Sequence, residues 1–161
     1  MQESVAAKPA ELAPAPAAVG PVVFFDGKCN LCNGGVQFVI DHERAPVLRF
    51  APLQSELARH VLEDAFGRQA AEGLRAGATG QGDPDSVVLV DDGRGFTHST
   101  AALHIARYLR APYRWLFAFI IVPRPIRDAV YRWVARNRYR WFGKTEICRI
   151  PTPELRGRFL T

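Results

Sequence analysis

Two cysteines separated by two residues, Cys29 and Cys32, and an acid three positions upstream, Asp26, are the groups whose types and spacing can do chemistry. Disulfide exchange requires an attacking thiolate, a second thiol able to close a ring with it, and access for a partner disulfide. If a helix begins near Cys29, positions i and i+3 share a face and the two sulfurs can bond without long chain movement. Cys29 then feels the positive helix end, unpaired backbone N–H groups and the neighbouring Lys28, all of which favour the thiolate. This makes Cys29 the nucleophile and Cys32, one turn further in, the resolving thiol. Asp26 ends an apolar run and can relay a proton to or from Cys32. The same carboxylate serves equally well as a cap for the turn.

Other chemistries fit less well. A structural zinc wants two further ligands, and neither a second Cys-x-x-Cys nor a His-x-His occurs; Cys148 with one of His42, His60, His98 or His104 would complete a site only through folding. No metal and no cofactor are therefore assigned. The sequence Phe24-Phe25-Asp26 is also similar to the nucleophilic aspartate segment of haloacid-dehalogenase-like phosphatases, but Lys28 stands where those enzymes want a second acid. The histidines show no ligand spacing, and His98, near a hairpin end, is the one to test. Cys148 is read either as a third redox thiol or as a packed side chain between isoleucine and arginine.

The elements that must position the pair follow from pattern. Val22–Phe25 is a short, wholly apolar run of the kind a buried central strand shows. Leu31, Val36, Val39 and Ile40 make a helical stripe from Cys29 or Cys32 to about Glu43. Gly34 and Gly35 work against that helix, each costing about 1 kcal/mol relative to alanine, and imply close approach of another backbone or a later helix start. Val47–Ala51 reads as a second strand, which completes a right-handed βαβ unit. A second helix is expected from Leu53 to about Gln69, and a Gly-rich loop from Glu72 to Gly82. Ser86–Val90 forms a third strand, Asp91–Gly95 supplies turn residues, and Phe96–His98 is the returning arm. Ser99 or Thr100 then caps a helix running to Arg110. The order βαβ, α, ββα predicts an α/β chain with a thioredoxin-like core and additional C-terminal helices.

Beyond that core, Pro112 opens an aromatic helical stretch ending near Val122, and a helix follows from Ile126 to about Phe142. Ile126, Val130, Trp133, Val134 and Trp141 share a broad face, with arginines on the remainder. The expectation is that this face packs on the core and leaves the arginines in water. The division expected is an Ala/Pro-rich disordered tail at 1–20, a core at 21–111 and a helical extension at 112–161.

The chain has 161 residues, enough for one domain with a real core, and a net charge of +5 concentrated as arginine between Arg107 and Arg158. With only three cysteines and no basic, apolar leader at the start, a disulfide-stapled secreted chain is disfavoured and cytoplasmic residence is predicted. The longest apolar run, Trp115 to Val122, falls far short of the roughly 18 residues a membrane span needs. No nucleic-acid partner is expected. A protein or small-molecule disulfide or dithiol is the expected substrate, and the basic aromatic helices offer a peripheral membrane contact. The competing reading is a non-catalytic thioredoxin-like module that uses those helices to bind a membrane surface or an acidic partner.

Asp26-x-x-Cys29-x-x-Cys32 after Phe24-Phe25 resembles the signature of the DCC family of thiol-disulfide oxidoreductases, named for that Asp-Cys-Cys pattern. Ser86–Gly93, Ser99-Thr100-Ala101, Tyr131-Arg132-Trp133 and Arg138–Gly143 also resemble that family, so the similarity covers about 21–150. The resemblance implies a thioredoxin-like fold and dithiol-disulfide activity, with Asp26, Cys29 and Cys32 as the carried-over positions. The chain departs from thioredoxin itself in one respect: Asp85, rather than proline, precedes Ser86 at the strand facing the pair, with Pro84 slightly earlier.

Overall fold

The computed structural model describes residues 20–26, 30–78, 87–142 and 156–160. The apolar run becomes strand β1 (Val22–Phe25), followed by helix α1 (Asn30–His42), β2 (Arg49–Pro52), α2 (Glu56–Phe66), α3 (Arg68–Ala78), β3 (Val87–Asp91), β4 (Arg94–Thr97) and α4 (His98–Ala106). A 3-10 helix, η1 (Tyr113–Ile121), and the long helix α5 (Arg124–Phe142) complete the larger elements. The sheet order is β2-β1-β3-β4. β1 runs parallel to β2 and antiparallel to β3, and β3 runs antiparallel to β4. This is the mixed four-stranded sheet of a thioredoxin-like α/β core.

Period-two alternation divides the sheet's side chains between two apolar layers. Val22, Phe24, Val88 and Val90 pack with Leu62 of α2 and Leu74 of α3. Val23, Phe25 and Leu89 point the other way, against Val36 of α1 and Ile105 of α4. All four β1 residues are buried, as expected of a central strand. The β3–β4 hairpin closes over Asp92-Gly93, both with positive φ, 50° and 73°. That conformation is the one Asp-Gly supplies most cheaply in a two-residue hairpin turn.

The edge of β2 is covered by the chain's end. Phe159 bridges Phe50 in the parallel sense, and Leu160 donates its N–H to the Phe50 carbonyl at 2.8 Å. Arg158 anchors this contact through an ion pair with buried Glu43 and a bond from its Nε to the Leu48 carbonyl at 3.2 Å. An edge strand otherwise presents unpaired backbone groups to solvent.

Three expectations are corrected. Residues 72–78, expected in the Gly-rich loop, are helical, and 79–82 lie outside the described residues: Gly67, at φ 86°, ends α2, and the chain re-enters a helix whose Ala71 and Leu74 bury on the core. Apolar burial there outweighs the glycine penalty. The cap of α4 is Thr97, in extended conformation and without a side-chain cap bond, while Ser99 lies inside the helix with its hydroxyl turned to Asp128. Of the broad face of α5, only Val134, half-buried at its flank, turns toward the core. Ile126, Val130, Trp133 and Trp141 are exposed, and the helix instead buries Asp128 and Ala135 against the α1 and α4 layer. Small Ala135 allows close approach, and Asp128 finds a hydroxyl partner, so the side of α5 that periodicity marks as polar is the side that docks.

Among the described residues, no helix is long and apolar enough to cross a membrane. The expected tail at 1–19 lies outside the described residues.

Candidate active site

The parallel pairing of β1 and β2 brings their carboxyl ends to one edge, the place where open α/β sheets assemble their sites. Phe25 pairs with Pro52, and the Leu53 N–H continues the ladder to the Phe25 carbonyl at 2.9 Å. Asp26 therefore emerges beside the turn that follows β2. It is fully buried and accepts a hydrogen bond at Oδ1 from Gln54 Nε2 at 3.1 Å. Burying a carboxylate demands such partners.

Helix α1 starts at Asn30, so Cys32 is the third residue of its first turn. Cys29 precedes Asn30 directly in sequence; it, Lys28 and Cys148 lie outside the described residues. No acidic residue occupies the first turn of α1, so no carboxylate there offsets its positive end. Gly34 and Gly35 are inside the helix and exposed. A Cβ at either would meet nothing within 4 Å, which corrects the expectation that another backbone approaches closely at these glycines.

Gly35 and Val36 follow Cys32 by three and four positions in α1. They form part of the wall of an apolar cavity of about 320 Å³, with Phe25, Ile105, Leu116 and Val134 among the other walls. The cavity runs between α1, α4 and the α5–η1 layer, with Tyr131 contributing a phenol. An apolar space thus begins at Gly35 and Val36, in the second turn of α1.

The antiparallel strands bring further residues to the same edge. Val87 pairs with Phe25, and Thr97 pairs with Val88, so the start of α4 stands near the end of β1. His98 occurs there in the left-handed region, φ 53°, a conformation that costs a non-glycine residue about 1 kcal/mol or more. Its Nδ1 lies 3.1 Å from Thr97 Oγ1, and its ring meets Tyr131 edge-on at 5.7 Å. Next to it, the Ser99 hydroxyl donates to Asp128 Oδ1 at 2.5 Å, and Arg124 Nε donates to Asp128 Oδ2 at 3.3 Å. Burial pushes the Asp128 carboxyl upward, but the Ser99 bond, the His98 charge and Arg124 outweigh it and hold the group below its ordinary range.

Sequence reasoning singled out Asp26 and His98 and missed Gln54 and the Ser99–Asp128 pair. Gln54 was accessible: a polar residue two positions past the end of β2 must lie near the residue that ends a parallel β1. The Ser99–Asp128 bond joins residues 29 positions apart through the docking of α5, and no local signal carries it. Pro84, Asp85 and Ser86 lie outside the described residues. Among the described residues, no group of three His, Cys, Asp or Glu side chains is placed to hold a metal ion.

The chain is 42% identical over 139 residues to a Bacillus subtilis (strain 168) protein named Uncharacterized protein YuxK, covering 86% of this chain and 93% of that one. It is 41% identical over 131 residues to a chloroplastic DCC family protein of Arabidopsis thaliana, covering 81% of this chain and 69% of the other. No solved structure matches. The family described as DCC1-like thiol-disulfide oxidoreductase matches residues 23–144, which include both cysteines of the pair, all of the sheet but Val22, and α5. The chain belongs to this DCC1-like family, whose description supports a thiol-disulfide oxidoreductase role in general.

Proposed function

We propose that the chain is a dithiol-disulfide oxidoreductase that works through Cys29 and Cys32. The observation that carries this reading is the start of α1 at Asn30, four residues after buried Asp26 in sequence, which sets Cys32 in the first turn of a helix with no acid in that turn. In the reducing direction the Cys29 thiolate attacks one sulfur of a substrate disulfide. The substrate S–S bond breaks, a mixed disulfide forms, and the leaving thiolate takes up a proton. Cys32 then loses its proton to Asp26 and attacks the Cys29 sulfur, forming the Cys29–Cys32 disulfide and releasing the second substrate thiol. Two electrons pass from the dithiol to the substrate, and the oxidising direction is the reverse.

The substrate class is a protein or small-molecule disulfide or dithiol. The exposed backbone at Gly34 and Gly35, where a built Cβ would meet nothing within 4 Å among the described residues, supports docking of a substrate chain along the start of α1. Cytoplasmic residence accords with the low cysteine count, and the core at 21–111 with its helical extension at 112–161 forms one working unit. Cys29→Ser tests the reading. It should abolish reduction of a model disulfide, whereas Cys148→Ser should leave the rate within about twofold. Full activity in Cys29→Ser would sink the proposal.

A further inference from the structure

The arginines of this chain are segregated. Between residues 107 and 142 there are nine arginines and one acid, Asp128, whereas the remainder of the chain holds 12 basic and 15 acidic residues. Asp128 is buried and bonded to Ser99 and Arg124, so it does not neutralise the outer surface. The positive field of the molecule belongs to the layer formed by the end of α4, η1 and α5.

Large apolar side chains face outward on that same layer. On η1, Trp115 is 68% exposed, Phe119 57% and Ile121 86%. On α5, Ile126, Val130, Trp133 and Trp141 recur at helical spacing on the side opposite buried Asp128 and Ala135. Trp133 and Trp141 touch edge-on at 5.1 Å, and Arg136 and Arg140, both exposed, lie at the edge of this stripe. Helices that pack their apolar stripe inward are the ordinary case, so this orientation needs an external partner.

A second feature points to the chemistry of that partner. Arg44, from the turn after α1, joins Arg107 and Arg114 around a cavity of about 240 Å³ floored by Phe117. The Arg107 guanidinium is 5.0 Å from the centre of the Phe117 ring, which holds it over the cavity. Guanidinium forks match phosphate oxygens. Arg114 adjoins exposed Trp115, so a headgroup-sized basic pocket sits next to an apolar side chain that can enter acyl chains.

We propose that this layer docks on an anionic phospholipid surface. Arg44, Arg107 and Arg114 receive a lipid phosphate, while the η1 and α5 aromatics and isoleucines enter the interfacial region. A nucleic-acid duplex would satisfy the arginines but leave Ile121, Ile126 and Val130 in water. The proposal is independent of the dithiol reading, since none of these residues belongs to the catalytic segment.

The test is sedimentation of the full chain with vesicles of phosphatidylcholine alone and with phosphatidylglycerol added. The expected result is at least about tenfold tighter binding to the anionic vesicles, weakened by salt, with a blue shift of tryptophan emission. The double substitution Arg107→Gln/Arg114→Gln should reduce that binding about tenfold, and Ile121→Ser should remove the blue shift. Neither should change the midpoint of thermal unfolding or the rate with a soluble disulfide. Equal or absent binding to both vesicle types overturns the proposal. So does binding of inorganic phosphate without vesicle partitioning, or a homodimer or acidic protein complex that Ile121→Ser dissociates while vesicles remain unbound.

Discussion

Gln54 and Asp26 meet across the open ends of the parallel pair β1 and β2, the amide nitrogen donating to the carboxylate at 3.1 Å. Under the proposed function this buried acid exchanges a proton with Cys32. Asp26→Asn keeps the size and removes the titration. The resolution step, followed by the decay of the mixed disulfide in stopped-flow, should slow by about 100-fold and lose one limb of its pH profile. A carboxyl that only caps the turn would lower the unfolding midpoint and leave the shape of that profile unchanged.

Asp128 ties α5 to α4 through Ser99, and it does so as a carboxylate. Because its folded value lies below the unfolded value near about 3.9, the stability it contributes is present above that pH and is lost as pH falls through the folded value. Asp128→Ala should cost about 1–2 kcal/mol in urea unfolding at neutral pH, since the buried Ser99 hydroxyl loses its acceptor while Arg124 stays in water. Asp128→Asn should flatten the acid limb of the stability curve below pH about 4. An unaltered acid limb would show that the group does not carry this dependence.

Tyr108 donates its phenol to Asp91 at 2.6 Å, and burial, then this bond and the Asp91 charge, push its ionisation up to about 12. With the folded value raised, its contribution to stability is present below the unfolded value near 10 and is lost as pH rises through about 12. Ultraviolet titration should show that one of the four tyrosines ionises near pH 12. Tyr108→Phe should remove that step and no other.

Gly95 on β4 lies beneath Phe66, the last residue of α2, and a Cβ built on Gly95 would land inside the Phe66 ring. Gly95→Ala should destabilise the fold by about 1–3 kcal/mol. Phe66→Leu should recover part of that loss, so a double-mutant cycle should give a coupling of at least about 0.5 kcal/mol. Additive losses would mean that the two residues do not collide.

What could be read from the sequence was what local chemistry dictates. Val22–Phe25 has a single good use, a doubly buried central strand, and Asp92-Gly93 has the backbone freedom a tight hairpin demands. The sheet edge that gathers Asp26 follows from these and from the βαβ handedness. Helix α3 escaped because its glycines argue for a loop, while the burial of Ala71 and Leu74 that overrides them is a tertiary event. The orientation of α5 escaped for a related reason. Its periodicity marks an apolar stripe, but whether that stripe meets the core depends on Asp128 finding Ser99 and on Ala135 fitting the inner layer. Within the site, Asp26 was legible as the residue where the apolar run stops, and its partner Gln54 was within reach of the same reasoning, as the polar residue just past a β2 that runs parallel to β1.

The central claim is that Cys29 and Cys32 interconvert between dithiol and disulfide. Mass spectrometry of the full chain after equilibration in glutathione buffers of graded ratio reads this directly. The account predicts a reversible loss of two protons confined to the peptide that contains both cysteines, following one two-electron transition, with the mixed glutathione adduct trapped on Cys29 when Cys32 is replaced by serine. A pair that stays reduced across the whole range, or a disulfide formed with Cys148 instead, would contradict it.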